Sequence, residues 1–266
     1  MKKIGIRVLL ILGILLAIAG IVFVSIGVYK KYTLDIPNPV ATIEIEDFGT
    51  VKVELYPDKA PNTVANFIRL ANRGFYNGST FHRTVPDFVI QGGAKDGDTT
   101  ASPMLSDIMD NVENDEAYNI PGEFIANGYK DNNLKHEAGV ISMARSDYST
   151  YGYTTEGYNS AGCQFFITTT DNTSLDGLYA AFGKVIEGMD VVEEVSNVEV
   201  YYRDEDLGED EEAPTDEDGN TIQSDTPIDQ PVITSITVET YGVDYGVPET
   251  VEPFDISSMF SQYLGY

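Results

Sequence analysis

Residues 81–93 constrain the fold of this chain more than any other segment, and they read Phe-His-Arg-Thr-Val-Pro-Asp-Phe-Val-Ile-Gln-Gly-Gly. β-Branched and aromatic residues lie on both sides of the turn-forming pair Pro86-Asp87, a pattern typical of two strands joined by a tight turn. The glycine pair at the end indicates a sharp bend or a close approach of backbone. The segment therefore predicts a hairpin that carries three candidate site residues close together: Arg83, Phe88 and Gln91.

Short alternating segments recur through the rest of the chain. Residues 41–45 and 51–55 alternate apolar and polar side chains around the turn residues 47–50, which predicts an opening hairpin. Further candidates are strands at 80–85, 88–91, 139–144, 164–168, 180–185 and 232–241, and helices that begin at Pro61 and Met189. Many short strands with two helices favour a mainly β protein, built as a closed antiparallel barrel.

The N-terminus contains an apolar run from Val8 to Val28 that holds no charged residue. A helix of this length spans roughly 30 Å, the hydrocarbon core of a bilayer. We therefore predict an uncleaved transmembrane anchor. A signal peptide cleaved after Ala19 is the alternative, but the apolar run continues past that position. Basic residues before the run slightly outnumber those just after it, which favours an N-terminus inside the cell and a domain that faces outward.

The charge of the chain argues against nucleic acid as a partner. It has 43 acidic and 16 basic residues, a formal net charge of −27, and no Lys or Arg after Arg203. Phosphate binding needs a basic face, which this composition does not offer. Cys163 is the single cysteine, so no intrachain disulfide can form. We interpret it as a small buried residue, because no motif for nucleophilic chemistry surrounds it.

Two segments read as insertions between the predicted strands. Residues 96–136 are polar and rich in Asn and Asp, and residues 203–230 are dominated by acids. We call residues 203–230 the acidic segment and expect a solvated loop that the fold can lose without consequence, because it has little apolar surface to bury. A calcium loop at 216–220 is an alternative, but Pro214 would occupy the first ligand position.

Three strings occur in a fixed order along the chain: residues 81–93, residues 139–146 followed by 164–168, and residues 175–185. Together they resemble the cyclophilin family of peptidyl-prolyl cis–trans isomerases, over about residues 42–241. The resemblance implies an eight-stranded closed barrel capped by a helix at each end. It also implies isomerisation of Xaa-Pro bonds, which forms and breaks no covalent bond and so calls for no metal and no cofactor.

The resemblance also implies roles for individual residues. Arg83 matches the catalytic arginine, Phe88 a side of the proline pocket, and Gln91 the carboxamide that orients the arginine and the substrate. The remaining matches are substrate-binding residues: Val89, Met143, Ala144, Arg145, Gln164, Phe166, Leu175 and Tyr179.

The chain departs from the family pattern at several groove positions. Tyr179 stands where many relatives have a histidine, Val89 where a methionine is frequent, and Arg145 where an asparagine is frequent. Ser174 stands where several relatives have the tryptophan that holds cyclosporin. We therefore expect weak binding of cyclosporin-type inhibitors, whereas Arg83, Phe88 and Gln91 stay intact.

These observations predict a membrane-anchored, outward-facing prolyl isomerase that assists the folding of exported proteins at the cell envelope. The predicted organisation is a cytoplasmic N-terminus (1–7), an anchor (8–29), a linker (30–39), an isomerase domain (40–245) and a C-terminal tail (246–266). A proline-peptide-binding or chaperone module without essential turnover is the alternative. A serine hydrolase that uses His82 or His136 is disfavoured, because the sequence has no G-x-S-x-G elbow.

Overall fold

The computed structural model describes residues 36–208, 212–216 and 219–256. The elements below all belong to the compact unit that begins at Asn38. The predicted anchor at 8–29 lies outside the described residues, as does the end of the predicted tail. Within the described ranges, no helix combines the length and the apolar character needed to cross a bilayer.

Eight strands form one antiparallel sheet, which confirms a mainly β fold. They are β1 (Val40–Ile45), β2 (Gly49–Leu55), β3 (Phe81–Val85), β4 (Val89–Gly92), β5 (Val140–Met143), β6 (Phe165–Thr168), β7 (Ala181–Glu187) and β8 (Ile233–Glu239). Their order in the sheet is β3-β4-β6-β5-β7-β2-β1-β8. Each predicted strand is present, and each of its ends lies within two residues of the predicted end.

The sheet is an open, curled half-barrel, so the expectation of a closed barrel is wrong. The strand order ends at β3 and β8, and these two edges meet only near an isolated bridge between Thr80 and Val232. Pro231, just before β8, accepts a bond from the Phe81 N–H at 2.9 Å. A proline has no N–H to return, which interrupts a continuous ladder at this edge.

Alternation places one face of the opening hairpin in the core. Asp47 and Gly49 make the β1–β2 turn with positive φ angles of 64° and 127°, values that Asp and Gly tolerate better than bulky residues. The inward side chains of β1 and β2 are fully or almost fully buried: Ala41, Ile43, Ile45, Val51, Val53 and Leu55. Each such burial contributes roughly 1–3 kcal/mol.

Four α-helices accompany the sheet in the described ranges: α1 (Pro61–Asn72), α2 (Leu105–Ile108), α3 (Thr154–Tyr158) and α4 (Met189–Ser196). The two predicted helices are α1 and α4, whereas α2 and α3 are single turns that the periodicity did not indicate. On α1, the Phe67 ring meets the Phe165 ring edge-on at 5.7 Å. Asn72 at its end exchanges side-chain hydrogen bonds of 3.1 and 2.8 Å with the backbone of Val238, which ties α1 to β8.

The polar insertion at 96–136 contributes to the core and to α1. Its side chains Tyr118, Ile120 and Phe124 are buried. The buried carboxylate of Glu123 accepts bonds from the backbone N–H groups of Asn62 and Thr63, at 3.0 and 2.7 Å. A helix N-terminus leaves such N–H groups without partners and favours a negative charge there. A residue far along the chain therefore caps α1.

The acidic segment is not simply a solvated loop, and this corrects the sequence-based expectation. Pro227 is buried, and Val200 and Pro227 form a bridge where the segment leaves and rejoins the domain. Asp225 bonds to the backbone of β3. The calcium alternative falls on a stretch that includes residues 217 and 218, which lie outside the described residues.

Candidate active site

The β3–β4 hairpin presents Arg83 and Gln91 as direct cross-strand partners. Directly opposed residues of an antiparallel pair point to the same face of the sheet. The turn between the strands contains Asp87 with φ of 56°, and the Phe88 N–H donates to the Val85 carbonyl at 3.2 Å. Arg83 packs over the ring of Phe88, with 5.8 Å from Cζ to the ring centroid. The hairpin thus holds a cation beside an aromatic ring, at a distance typical of cation–π contacts.

An apolar pocket lies next to this hairpin. Val89, Phe166 and Leu175 form a buried cluster, and the Phe166 ring packs edge-on against Tyr179 at 5.3 Å. The cavity has a volume of about 90 Å³, and we call it the proline pocket. Its lining residues are Arg83, Phe88, Val89, Gln91, Ala144, Arg145, Phe166, Leu175 and Tyr179. The structure thus brings together nine of the eleven predicted site residues.

Gln164 adjoins this group and pairs with Gln91. The Gln91 amide donates to the Gln164 side chain at 3.1 Å, and Gln164 donates in turn to the Thr99 carbonyl at 2.8 Å. The resemblance gave Gln91 the role of orienting Arg83. In the structure, its side-chain hydrogen bond runs to Gln164 instead.

Met143 lies elsewhere, in the main core. It is 1% exposed and packs in the large cluster inside the sheet rather than in the proline pocket. All four side chains of β5 are buried, so a position on this strand does not by itself face the groove. The predicted substrate-binding role of Met143 is therefore not supported by its position.

Arg145 lies at the groove edge in a cage of rings. Its guanidinium lies 5.7, 5.1 and 4.8 Å from the ring centroids of Phe124, Tyr158 and Tyr179. Its Nε also donates to the Leu178 carbonyl at 3.0 Å. These contacts fix the side chain, so it forms a rigid part of the groove wall.

A larger cavity of about 350 Å³ adjoins the proline pocket and shares Arg83 and Gln91 with it. Its far side is lined by Pro253 and Phe254 of the predicted C-terminal tail. The Phe254 ring contacts the rings of Tyr148 and Tyr153, at 5.5 and 4.9 Å between centroids. Sequence reasoning gave this segment no role, although apolar residues such as Val251 and Phe254 recur along it.

Two further groups near the cavity are uncharged at neutral pH. Burial, with a smaller effect of the Arg83 charge, lowers the pKa of His82 to about 4. Burial raises the pKa of the Cys163 thiol to about 12. Neither group is then suited to act as an acid, a base or a nucleophile near pH 7.

Asp225 is the site residue that the sequence did not indicate. Its carboxylate lies 3.2 Å from Nη2 of Arg83 and 2.9 Å from Nη1 of Arg203. The surrounding sequence is rich in acids, so no spacing distinguished this one from its neighbours. Only the fold shows that it reaches the site.

Comparison with known proteins agrees with this geometry. The model of the family described as cyclophilin type peptidyl-prolyl cis–trans isomerase/CLD matches residues 40–228. The chain belongs to the cyclophilin family. Accordingly, it is a peptidyl-prolyl cis–trans isomerase, an enzyme of the isomerase class, and cyclophilin isomerases act on Xaa-Pro peptides.

Individual relatives support the same assignment. Peptidyl-prolyl cis-trans isomerase B of Bacillus subtilis is 38% identical over 156 residues, which cover 59% of this chain and 90% of the relative. A peptidyl-prolyl cis-trans isomerase of Synechococcus elongatus is 36% identical over 159 residues, covering 59% and 88%. A crystal structure of a Cryptosporidium parvum cyclophilin in the presence of the dipeptide Ala-Pro matches with a TM-score of 0.53 and 25% identity, over 75% of this chain and 98% of that one.

Proposed function

We propose that this cyclophilin accelerates Xaa-Pro isomerisation by stabilising the twisted amide with Arg83, while the proline ring occupies the proline pocket. The observation that carries the proposal is the position of Arg83 at the mouth of a small apolar cavity, over the Phe88 ring. As the C–N bond twists, amide resonance is lost and the proline nitrogen becomes a basic acceptor. A fixed cationic donor then stabilises the twisted state more than the planar one.

The magnitudes limit the acceleration that Arg83 alone contributes. The uncatalysed barrier is about 20 kcal/mol, and each tenfold gain in rate needs about 1.4 kcal/mol. A hydrogen bond to a charged group contributes roughly 1.5–3 kcal/mol. The rest of the acceleration must come from the apolar surroundings, which favour the less dipolar twisted amide, and from the orientation of the substrate in the groove.

We further propose that the protein is anchored in a cell membrane by residues 8–28 and faces outward, where its clients would be exported proteins. Support comes from the length of the apolar run, the absence of charge within it and the basic residues before it. Membrane fractionation with mass spectrometry of the N-terminus tests this. A soluble product that begins at Gly20 would show cleavage after Ala19 instead.

The isomerase mechanism is tested with the full chain in detergent micelles and a short Ala-Pro peptide, by NMR exchange spectroscopy. We expect turnover without added metal or cofactor, and a loss of about 10- to 100-fold in Arg83→Ala. Arg73→Ala, which removes an arginine directly after α1 that pairs with Asp110, is the matched control and should retain activity. Equal rates for wild type and Arg83→Ala would contradict the proposed mechanism. Peptide binding without any turnover would favour the alternative of a proline-peptide-binding module.

A further inference from the structure

The acidic segment returns to the catalytic hairpin at Asp225. The Thr84 N–H of β3 donates to the Asp225 carbonyl at 3.0 Å, and the Asp225 N–H donates to the Tyr202 carbonyl at 3.0 Å. The residue has a positive φ of 63°, a conformation that Asp adopts more readily than most residues. Two backbone bonds therefore fix Asp225 beside Arg83, in a geometry that few other residue types accept.

The Asp225 side chain bridges two arginines. Oδ2 lies 3.2 Å from Nη2 of Arg83, and Oδ1 lies 2.9 Å from Nη1 of Arg203. The carboxylate is 13% exposed, whereas Arg83 is 37% exposed toward the groove. Water screens a mostly buried carboxylate less than an exposed one, so this pair is more than a fluctuating surface contact.

Arg203 balances the charge of the carboxylate. It also donates to the Thr84 carbonyl at 3.2 Å, so both ends of the bridge are tied to β3. One carboxylate between two guanidiniums leaves a net positive charge on the trio. Arg83 is thereby held in place without being neutralised, which a one-to-one ion pair would not achieve.

Asp225 also fills a role that Gln91 does not fill here. In the described part of the chain, the side-chain hydrogen bond and the ion pair of Arg83 both go to Asp225, whereas Gln91 bonds to Gln164. An arginine side chain has many rotamers, and catalysis by positioning requires that this freedom be lost before the substrate arrives. A guanidinium has five N–H donors, so the edge not bound to Asp225 stays available.

We propose that Asp225 is a positioning residue for Arg83, supplied by the acidic segment; the inference rests on the proposed catalytic role of Arg83. Asp225 does not touch the substrate. It sets the orientation of the guanidinium that does. The acidic segment is then a working part of the active site, and removing it would slow the reaction even in a well-folded protein.

The test uses two variants in the full chain. Asp225→Asn keeps the shape and removes the charge, and Asp225→Gly removes the side chain while its backbone adopts a positive φ without strain. Because Arg83 stays present but loses its fixed orientation, we expect kcat for an Ala-Pro peptide to fall about 5- to 10-fold, with KM within about twofold of wild type. Asp229→Asn makes the same charge change at an exposed position four residues on and should leave kcat unchanged.

Two further measurements separate positioning from a merely structural role. Rotation of the Arg83 guanidinium, followed by ¹⁵N NMR of the arginine side chain, should be faster in both variants. In an Arg83→Ala background, Asp225→Asn should have no further effect on kcat, because the two residues act as a unit. If only one of the two Asp225 variants folds, the kcat of that variant decides whether Asp225 positions Arg83.

A folded Asp225 variant with the kcat of wild type, or losses that add independently in the double variant, would overturn the inference. Its failure is distinguishable from failure of the proposed mechanism. If Arg83→Ala is as fast as wild type, the role of Arg83 is wrong; if Arg83→Ala is slow and both Asp225 variants are fast, only the role of Asp225 is wrong.

Discussion

The two sides of the substrate groove are built in different ways. One side, formed by Val89, Phe166 and Leu175, comes from β4, β6 and a single 3-10 turn, and it is held by apolar packing. The other side comes from the acidic segment and from residues 246–256, and it is held by the Asp225 ion pairs and the ring contacts of Phe254. We call them the strand side and the segment side.

This contrast indicates which part of the site tolerates substitution. Phe166 is inseparable from the fold, because its ring fills space between the sheet and Tyr179. Asp225 and Phe254 instead lie outside the strands of the sheet, where ion pairs, backbone hydrogen bonds and ring contacts hold them. We therefore expect the strand side to govern both stability and activity, and the segment side to govern rate and preference with little effect on stability.

The largest expected effect is that of Phe166→Ala, on the strand side. Removing a buried phenylalanine side chain costs about 3–5 kcal/mol of unfolding free energy, and here it also enlarges the proline pocket. Chemical denaturation should show the loss of stability, and the activity of the folded fraction should fall at least tenfold, as followed by NMR exchange.

Phe165→Ala is the matched control, because this neighbour on β6 packs against Phe67 in the main core. It should destabilise the protein by a similar amount, while its folded fraction keeps its activity. Similar activity losses in both variants would mean that the strand side acts through stability alone.

The second-largest expected effect is that of Ser174→Trp on inhibitor binding, in the 3-10 turn that carries Leu175. Ser174 is exposed, and its hydroxyl donates to Asn172 at 2.5 Å. Ser174→Trp places an indole donor and a large apolar surface next to Leu175. We expect cyclosporin affinity to rise by about 2–4 kcal/mol, or roughly 30- to 1,000-fold, measured by calorimetric titration. Tight binding by wild type, or no gain in the variant, would contradict the expected weak binding.

The third effect is a loss of stability in acid, at the boundary between the two sides. The folded-state pKa of His82 is lowered to about 4, mainly by burial. The unfolded chain therefore binds a proton more readily between pH 6.5 and 4, and the free energy of unfolding falls as the pH drops through this range. The full difference between the unfolded-state and folded-state pKa of His82 corresponds to roughly 3 kcal/mol of unfolding free energy.

Denaturation curves at several pH values test this, with His82→Gln as the comparison. The variant should lose less stability on acidification than wild type. Part of the fall should remain, because burial also lowers the pKa of His136. Parallel pH profiles for variant and wild type would exclude His82 as a source of acid sensitivity.

The smallest expected effect is that of Phe254→Ala, on the segment side. Loss of the contacts with Tyr148 and Tyr153 opens the far side of the larger cavity. A partly exposed ring at the edge of a binding cavity contributes on the order of 1 kcal/mol to substrate binding, or roughly fivefold in kcat/KM. We expect kcat/KM to change by this amount among peptides that differ in the residues flanking proline, with unfolding free energy almost unchanged. A stability loss as large as that of Phe166→Ala would remove the distinction between the two sides.

The strands that form the strand side were predictable, because the patterns that indicate a strand or a hairpin lie within a few neighbouring residues. Alternation in β1 and β2 and the hairpin signal at Pro86-Asp87 predicted strands, and the resemblance to the cyclophilin family implied most of the proline pocket. Met143 shows a limit of this reasoning, since it sits on a strand whose side chains are all buried, where alternation does not separate groove from core.

The segment side could not be predicted because its contacts join distant residues through polar groups. Asp225 lies among many acids, and nothing in its neighbours indicates that Arg83 is its partner. The closed barrel was wrong for a related reason. Pairing of the edge strands β3 and β8 depends on their relative position and on the N–H groups available at the edge. Pro231 has no N–H to donate there, and it leaves the apolar alternation of both strands unchanged.

The position of β1 in the sheet has a consequence for biosynthesis. This first strand pairs with β2 on one edge and with β8, the last strand, on the other. During translation, the edge that faces β8 has no strand partner until residue 239 has been made. An unpaired edge can pair with other chains, and contacts between the two ends of a chain form slowly. This prolyl isomerase thus completes its own sheet only when its last strand is available.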